Sequence, residues 1–183
     1  VGDAIKTVGN SAVSIGQGTY TSANGTNVGT GSIVSAASVS VGKGNVVAGT
    51  NAVAVGDAIK HIGNNTIAIG SRIQNAGTEI IAIGHSAGNN SSNATGSIYI
   101  GSNAGINDSG QINVFLGQNC GNNNTGSSNI YIGIDTGSGS SSGNNNVFMG
   151  HKCGQANDDG NNNVFIGTSC GQANTSGKNN VFM

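Results

Sequence analysis

A short apolar triplet followed by glycine recurs along the chain, and this repeat constrains the fold more than any other feature. Two aliphatic residues flank a variable middle residue, as in Val53-Ala54-Val55-Gly56 and Ile67-Ala68-Ile69-Gly70. The successive steps between the glycines that close the repeats, from Gly2 to Gly167, are 14, 13, 13, 14, 14, 14, 17, 16, 16, 17 and 17. Helical repeats need about 33 residues or more, so this period excludes them.

A period this short fits one coil of a β-solenoid, which consists of short strands joined by tight turns. The composition agrees, because the chain has 33 glycines and no proline. Glycine takes the positive φ angles of tight turns freely, whereas proline would remove an N–H from the ladder between coils. The sequence therefore predicts an all-β, parallel β-solenoid of about 12 coils, about 55–60 Å long, with almost no helix.

The repeat changes partway along the chain, which divides the solenoid into two continuous segments. Residues 1–88 form the short coils, with steps of 13 or 14, and residues 89–183 form the long coils, with steps of 16 or 17. The middle residue of the triplet changes at the same place, from small residues such as Ala54 to aromatic ones. The aromatic residues at this position are Tyr99, Phe115, Tyr131, Phe148, Phe165 and Phe182.

Strand side chains alternate between two faces, so the first and third residues of each triplet share one face. We expect that face to be the core of the coil. The middle residues then point outward, and the six aromatic side chains form an inter-chain packing stripe, because soluble monomers rarely expose large apolar stripes. The alternative is a flattened coil in which the chain's own opposite wall covers the aromatic rings.

Two stretches of the repeat resemble known families. Asn51-Ala52-Val53-Ala54-Val55-Gly56 and Asn65-Thr66-Ile67-Ala68-Ile69-Gly70 look like the N-S-V-A-I-G repeat of trimeric autotransporter adhesin heads, the YadA-like heads. This resemblance implies a left-handed parallel β-roll and a homotrimeric rod. The longer repeats, NNVFMGHKCGQANDDG at 145–160 and NNVFIGTSCGQANTSG at 162–177, resemble repeats of phage and giant-virus tail-fibre proteins and of bacterial surface proteins.

The charge content excludes several classes of function. Six basic and seven acidic residues give a net charge of −1. Six cations spread over 183 residues cannot form the basic face that binding to nucleic acid or to an anionic membrane surface requires. The longest aliphatic run, Ile80-Ile81-Ala82-Ile83, is far too short to span a membrane, so we expect no membrane association in this segment.

The residues that carry chemistry are few and scattered. Cys120, Cys153 and Cys170 occupy the same place in their repeats, where other repeats have alanine or isoleucine, which predicts buried packing. His85 and His151 directly follow strand glycines and are expected at solvated corners. Asp158-Asp159 is the only acidic pair and is expected in a solvated turn, with a calcium site as the alternative. We therefore expect no enzyme activity, no cofactor and no metal.

These features predict a structural and adhesive role. The chain is expected to be part of a surface-exposed trimeric adhesin or of a virus or phage tail fibre, located outside the cell, at the cell surface or on a virion. It would act as a stiff rod and attach to a host surface protein or glycan. The alternative is a subunit of a self-assembling extracellular filament.

Overall fold

Seventeen β-strands and the turns between them make up the described part of the protein, which contains no helix. The computed structural model describes residues 6–7, 9–139 and 142–183; the predicted repeat at Val1-Gly2 lies outside them. The strands are β1 (Lys6–Thr7), β2 (Val13–Ile15), β3 (Tyr20–Thr21), β4 (Thr26–Thr30), β5 (Ile33–Val34), β6 (Val39–Lys43), β7 (Val46–Val47), β8 (Val53–Asp57), β9 (Lys60–Ile62), β10 (Ile67–Ser71), β11 (Ile81–His85), β12 (Ile98–Ile100), β13 (Val114–Leu116), β14 (Ile130–Ile132), β15 (Val147–Met149), β16 (Val164–Ile166) and β17 (Val181–Phe182).

The triplets of the repeat form one parallel sheet of twelve strands, in the order β17-β16-β15-β14-β13-β12-β11-β10-β8-β6-β4-β2. Equivalent residues pair with each other, so that Ile67 is in register with Val53 on one side and with Ile81 on the other. A second parallel sheet, β1-β3-β5-β7-β9, forms the other wall of the short coils. The predicted all-β solenoid of about 12 coils is confirmed.

The corners of each coil are held by residues with positive φ. One such column lies two residues before each triplet and includes Asn51, Asn65, Asn145 and Asn162, with φ between 54° and 58°. Asparagine tolerates this conformation better than most residues with a side chain. The high asparagine content of the turns thus has a local backbone cause.

The glycine that ends each triplet is required by the close approach of neighbouring coils. These glycines have φ between 128° and 152°, and from Gly16 to Gly150 an added Cβ would lie closer than 3.0 Å to the strand-ending glycine of the next coil. No side chain fits in that gap. The regular glycine spacing is therefore the consequence of backbone stacked directly on backbone.

The middle residue of each triplet points into the coil, which corrects the sequence prediction. Tyr99, Phe115, Tyr131, Phe148 and Phe165 are fully buried within a single chain, and only Phe182, on the last strand, is exposed. The first and third residues lie on the outside instead, half-buried or exposed. The aromatic residues are thus the core of the longer coils, as in the flattened-coil alternative, and they are not an inter-chain stripe.

The aromatic rings form a continuous stack along the core. The centroids of Tyr131 and Phe148 are 4.7 Å apart and those of Phe148 and Phe165 are 4.8 Å apart, with interplanar angles of 3° in both pairs. The five rings from Tyr99 to Phe165 also each pack closely against a glycine of their own coil. An added Cβ on Gly154, for example, would lie within 3.0 Å of the Phe148 ring.

The core keeps its volume by exchanging large and small residues between two facing positions. In two of the short coils the middle residue is small, Ala54 or Ala68, and the residue four positions after the triplet is large, Ile59 or Ile73; all four are fully buried. In the long coils with an aromatic middle residue, the later position holds Ala104, Cys120, Thr136, Cys153 or Cys170. Close packing of the interior explains why the two positions change together.

We predict that Gly42→Ala destabilises the solenoid by about 3 kcal/mol or more, because its Cβ would collide with the backbone of Gly56 at a φ of 129°. The matched control is Gly44→Ala, where φ is 64° and nothing lies within 4 Å, so that only about 1 kcal/mol is expected. Urea unfolding followed by circular dichroism measures both. Equal losses would contradict the close-approach explanation.

We predict that Phe148→Ala lowers the free energy of unfolding by about 3–5 kcal/mol, because it leaves a cavity in the ring stack. His151→Ala, which truncates an exposed side chain of the same coil, should cost about 0.5 kcal/mol or less. If Phe148→Ala instead left stability unchanged but abolished association between chains, the burial of the ring stack would be refuted.

Candidate interaction surface

The outer face of the twelve-stranded sheet carries two parallel columns of aliphatic side chains, which we call the aliphatic face. The columns are formed by the first and third residues of the triplets. The first column contains Val13, Thr26, Val39, Val53, Ile67, Ile81, Ile98, Val114, Ile130, Val147, Val164 and Val181, and the second contains Ile15, Val28, Val41, Val55, Ile69, Ile83, Ile100, Leu116, Ile132, Met149 and Ile166.

The aliphatic face, which Thr26 alone interrupts with a polar side chain, is half-buried or exposed along its whole length. Ile15 is 48% exposed at one end, Ile69 and Ile100 are 39% exposed in the middle, and Met149 is 38% exposed near the other end. Parallel sheets are usually covered on both faces, and here the interior of the coil covers only one of them. This face is therefore the surface on which a partner would be expected.

The column beside the aliphatic face is mostly polar. It contains Lys43, Asp57, Ser71, His85 and His151, among others, and the two histidines are exposed, as the sequence predicted. His85 Nδ1 lies 3.0 Å from Ser71 Oγ of the preceding coil. Lys43 and Asp57 are neighbours on adjacent coils and their charges offset each other, so no strong field of one sign accompanies the aliphatic face.

Sequence reasoning missed this surface because it assigned the two faces of the strand the wrong way round. The first and third residues had been expected inside the coil. The sequence does contain a sign that the aromatic residues point inward. A glycine lies five positions after each long-coil triplet, at Gly105, Gly121, Gly137, Gly154 and Gly171. An added Cβ there would lie within 3.0 Å of the aromatic ring of the same coil.

The turn edge of the long coils forms an open, polar groove lined by Ser127, Ser128, Asn144, Asn145, Asn161, Asn162 and Lys178. Side-chain oxygens in this groove accept hydrogen bonds from the backbone of the preceding coil. Ser127 N donates to Asn144 Oδ1 at 2.8 Å, and Asn144 N donates to Asn161 Oδ1 at 2.8 Å. The groove presents amide and hydroxyl groups at a regular spacing.

A second asparagine ladder is buried behind the aromatic stack. It consists of Asn113, Asn129, Asn146 and Asn163, each directly before a triplet. Asn129 Oδ1 accepts from Asn146 N at 2.9 Å, and Asn129 Nδ2 donates to Gly143 O at 2.8 Å. Both ends of the amide thus bind the next coil, which satisfies polar groups that would be costly to bury alone.

Asp108 is a buried carboxylate at a position where three other long coils have asparagine. Nine residues separate it from Tyr99, just as Asn124 follows Phe115 and Asn157 follows Phe148. Tyr99 donates its hydroxyl proton to Asp108 Oδ2, with an O–O distance of 2.6 Å. Asp108 Oδ1 also accepts from Gly110 N at 3.0 Å and from Asn124 Nδ2 at 2.8 Å.

Burial dominates the ionisation of this pair. It raises the pKa of Asp108, although the hydrogen bonds from Tyr99, Asn124, Gly110 and Asn113 act in the opposite direction. Burial and the Asp108 carboxylate both raise the pKa of the Tyr99 hydroxyl. The tyrosine hydroxyl therefore needs an acceptor inside the coil, which the carboxylate provides.

The remaining candidate residues are solvated or packed. Asp158 and Asp159 are exposed on a turn, and Ser142 donates its hydroxyl to Asp159. Cys120 and Cys153 are fully buried, as predicted, and Cys170 is half-buried. Nowhere in the described part of the chain do three or more histidine, cysteine, aspartate or glutamate side chains gather in a way that would hold a metal ion.

Comparison with known proteins identifies no relative of this chain. The chain matches none of the known protein-family models, and none of the curated proteins matches its sequence. Within the ranges that the structure describes, no helix has the length and apolarity needed to cross a membrane.

We predict that Asp108→Asn raises the urea midpoint at pH 8 and flattens its dependence on pH. A carboxylate whose pKa is raised by folding adds stability below its unfolded pKa of about 3.9, and that stability is lost as the pH rises through the folded value. The wild type should thus lose stability between pH 4 and pH 8, and the variant should lose less.

The control is Asp158→Asn, which makes the same exchange at an exposed turn and should leave the pH dependence of unfolding as it is in the wild type. Urea titrations of the three proteins at pH 4, 6 and 8 make the comparison. A wild type whose midpoint rises from pH 4 to pH 8 while Asp108→Asn shows the same rise would contradict the prediction.

Proposed function

We propose that this chain is a stiff segment of a surface fibre, either a trimeric adhesin or a virus or phage tail fibre, in which copies of the chain pack through their aliphatic faces. The observation that carries the proposal is the aliphatic face itself, exposed along twelve strands. Soluble monomers rarely leave a contiguous apolar surface of this kind uncovered. The proposed role is structural and adhesive, without catalysis.

The size of the aliphatic face supports association between chains. Twelve strands at a spacing of about 4.8 Å and a width of about 10 Å give an area of about 500 Å². Two such faces packed together would bury about 1,000 Å² in total, which is where specific interfaces begin. A chain that packs against two neighbouring chains, one on each side of its aliphatic face, would bury a larger total area.

The regular rise of the face favours a second copy of the chain as the partner. Its side chains repeat once per coil, at the 4.7–4.8 Å spacing seen in the ring stack. A parallel copy has the same rise, so aliphatic side chains can interdigitate at every coil, as they do between the paired sheets of cross-β structures. The likeness of the N-S-V-A-I-G type repeats to adhesin heads supports three copies in a closed, homotrimeric arrangement.

The turn edges are the part of such a rod that would meet a host. In an assembly closed over the aliphatic faces, the polar groove around Asn145 and Asn162 stays exposed. Its amides and hydroxyls suit hydrogen bonding to a surface protein or a glycan. We propose that the chain lies outside the cell, at a cell or virion surface, because its repeats resemble those of adhesin heads and tail fibres.

We predict that the wild-type chain sediments as a homotrimer and that Ile69→Lys combined with Ile100→Lys gives a folded monomer. Each lysine would bring a charge into the centre of the packed faces, where its desolvation is unfavourable. Analytical ultracentrifugation measures the mass, and circular dichroism checks that the β-structure is retained.

The matched control is Ser92→Lys combined with Gln111→Lys, which adds the same two charges at exposed residues between strands that have no positive φ, and it should leave the trimer intact. A wild type that stays monomeric and folded at high micromolar concentration would overturn the proposal. Open-ended polymers of the wild type would contradict the closed trimer and support the alternative, a self-assembling filament.

A further inference from the structure

We propose that Cys153 and Cys170 form a redox-controlled disulfide that links two successive coils, while Cys120 stays a buried thiol. This modification site is independent of association through the aliphatic face. It follows from the stacking of equivalent positions, which places two of the three cysteines next to each other in the same column and leaves the third without a cysteine neighbour.

The register of the coils brings the two cysteines together. Gly154 N donates to Cys170 O at 2.8 Å, and Ser169 N donates to His151 O at 2.8 Å, so that residues 151–154 pair with residues 169–170. The rings of Phe148 and Phe165, which belong to the same two coils, are 4.8 Å apart. This separation matches the spacing of about 4.8 Å between paired strands, and Cα atoms one such spacing apart lie within the range of about 4.4–6.8 Å that a disulfide requires.

The direction of the Cys153 side chain agrees with this pairing. Cys153 Sγ donates to Phe165 O at 3.3 Å, and Phe165 lies on the coil that carries Cys170. The thiol of Cys153 thus points along the column, towards the position of Cys170. Cys170 is half-buried, whereas Cys153 is fully buried, so Cys170 is the member of the pair that a small reagent meets first.

Cys120 provides an internal control. Its thiol has the same orientation, because Cys120 Sγ donates to Tyr131 O at 3.2 Å on the next coil. The residue at the equivalent position of that coil is Thr136, and Gly121 N donates to Thr136 O at 2.9 Å. Cys120 and Cys153 are therefore two coils apart, about 9.6 Å, which is too far for a disulfide.

The oxidant is a small-molecule disulfide such as oxidised glutathione, which belongs to oxidising, extracellular surroundings. The Cys170 thiolate attacks one sulfur of the oxidant, forms a mixed disulfide and releases one glutathione thiolate. The Cys153 thiolate then attacks the Cys170 sulfur and releases the second glutathione. Two protein thiols are oxidised, and one glutathione disulfide is reduced to two glutathione thiols, which take up the two protons that the cysteines lose.

The disulfide would stabilise the long coils against local opening. Each coil of a solenoid contacts only its neighbours, so coils can separate one at a time from an open end. A covalent bond across the coil boundary prevents that separation. Burial raises the pKa of Cys153 to about 11, so below that pH the second step should become roughly tenfold faster for each unit by which the pH is raised.

The test is to incubate the folded protein with oxidised glutathione at pH 8.5, quench with acid, denature, and count alkylated thiols by mass spectrometry. The wild type should keep one thiol of three, lose the mass of two hydrogen atoms before alkylation, and give a linked Cys153–Cys170 peptide. Its long coils should then resist proteolysis for at least several-fold longer than those of the reduced protein.

Two variants separate this result from general oxidation. Cys120→Ala should form the same disulfide and keep no thiol, whereas Cys153→Ala should keep Cys120 and carry glutathione on Cys170. Three free thiols in the oxidised wild type, stable glutathione on Cys170, or disulfides between chains would each overturn the proposal.

Discussion

The structure depends on one constraint, which is that each coil lies directly on the next with its backbone in register. The strand-ending glycines from Gly16 to Gly150 leave no room for a Cβ against the following coil. The parallel ladder of the twelve-stranded sheet then uses the backbone N–H groups, which is consistent with a chain that has no proline. The regular recurrence of glycine and the absence of proline both follow from this contact.

Stacking in register also turns every position of the repeat into a column. Aromatic residues become a ring stack, and asparagines become ladders in which both ends of each amide bind the next coil. A single asparagine inside an apolar coil would be unfavourable, but a column of them satisfies its own hydrogen bonds. The coil therefore tolerates a polar interior that an ordinary small core would not.

Asp108 and the cysteines show how a column responds to a single change. At Tyr99, the asparagine column holds the carboxylate of Asp108, which accepts the hydrogen bond of the tyrosine hydroxyl. Four residues after the triplet, Cys153 and Cys170 occupy the same column on adjacent coils, so that two small packing residues become a pair of neighbouring thiols. In both cases the chemistry depends on the side chain that the folded coils place beside the residue.

The sequence by itself determined the period, the parallel coils, the positions of the turns, the buried slot of Cys120 and Cys153, and the solvated corners at His85 and His151. These depend on local backbone geometry and on spacing, which a single repeat already shows. The lysine, glutamate and aspartate content was also enough to argue against a basic binding face.

Only the tertiary structure decided which face of the strand is inside. Alternation shows that the first and third residues of a triplet share a face, but both faces of Val147-Phe148-Met149 are apolar, so hydrophobicity does not distinguish them. The inside face is set by residues of the opposite wall. Gly154 has no side chain, so the ring of Phe148 can pack against its backbone, and the buried side chain of Cys153 is small enough to lie beside the ring. That wall meets the strand only after the chain has turned through the coil, so the aliphatic face could be recognised only once the coil was closed.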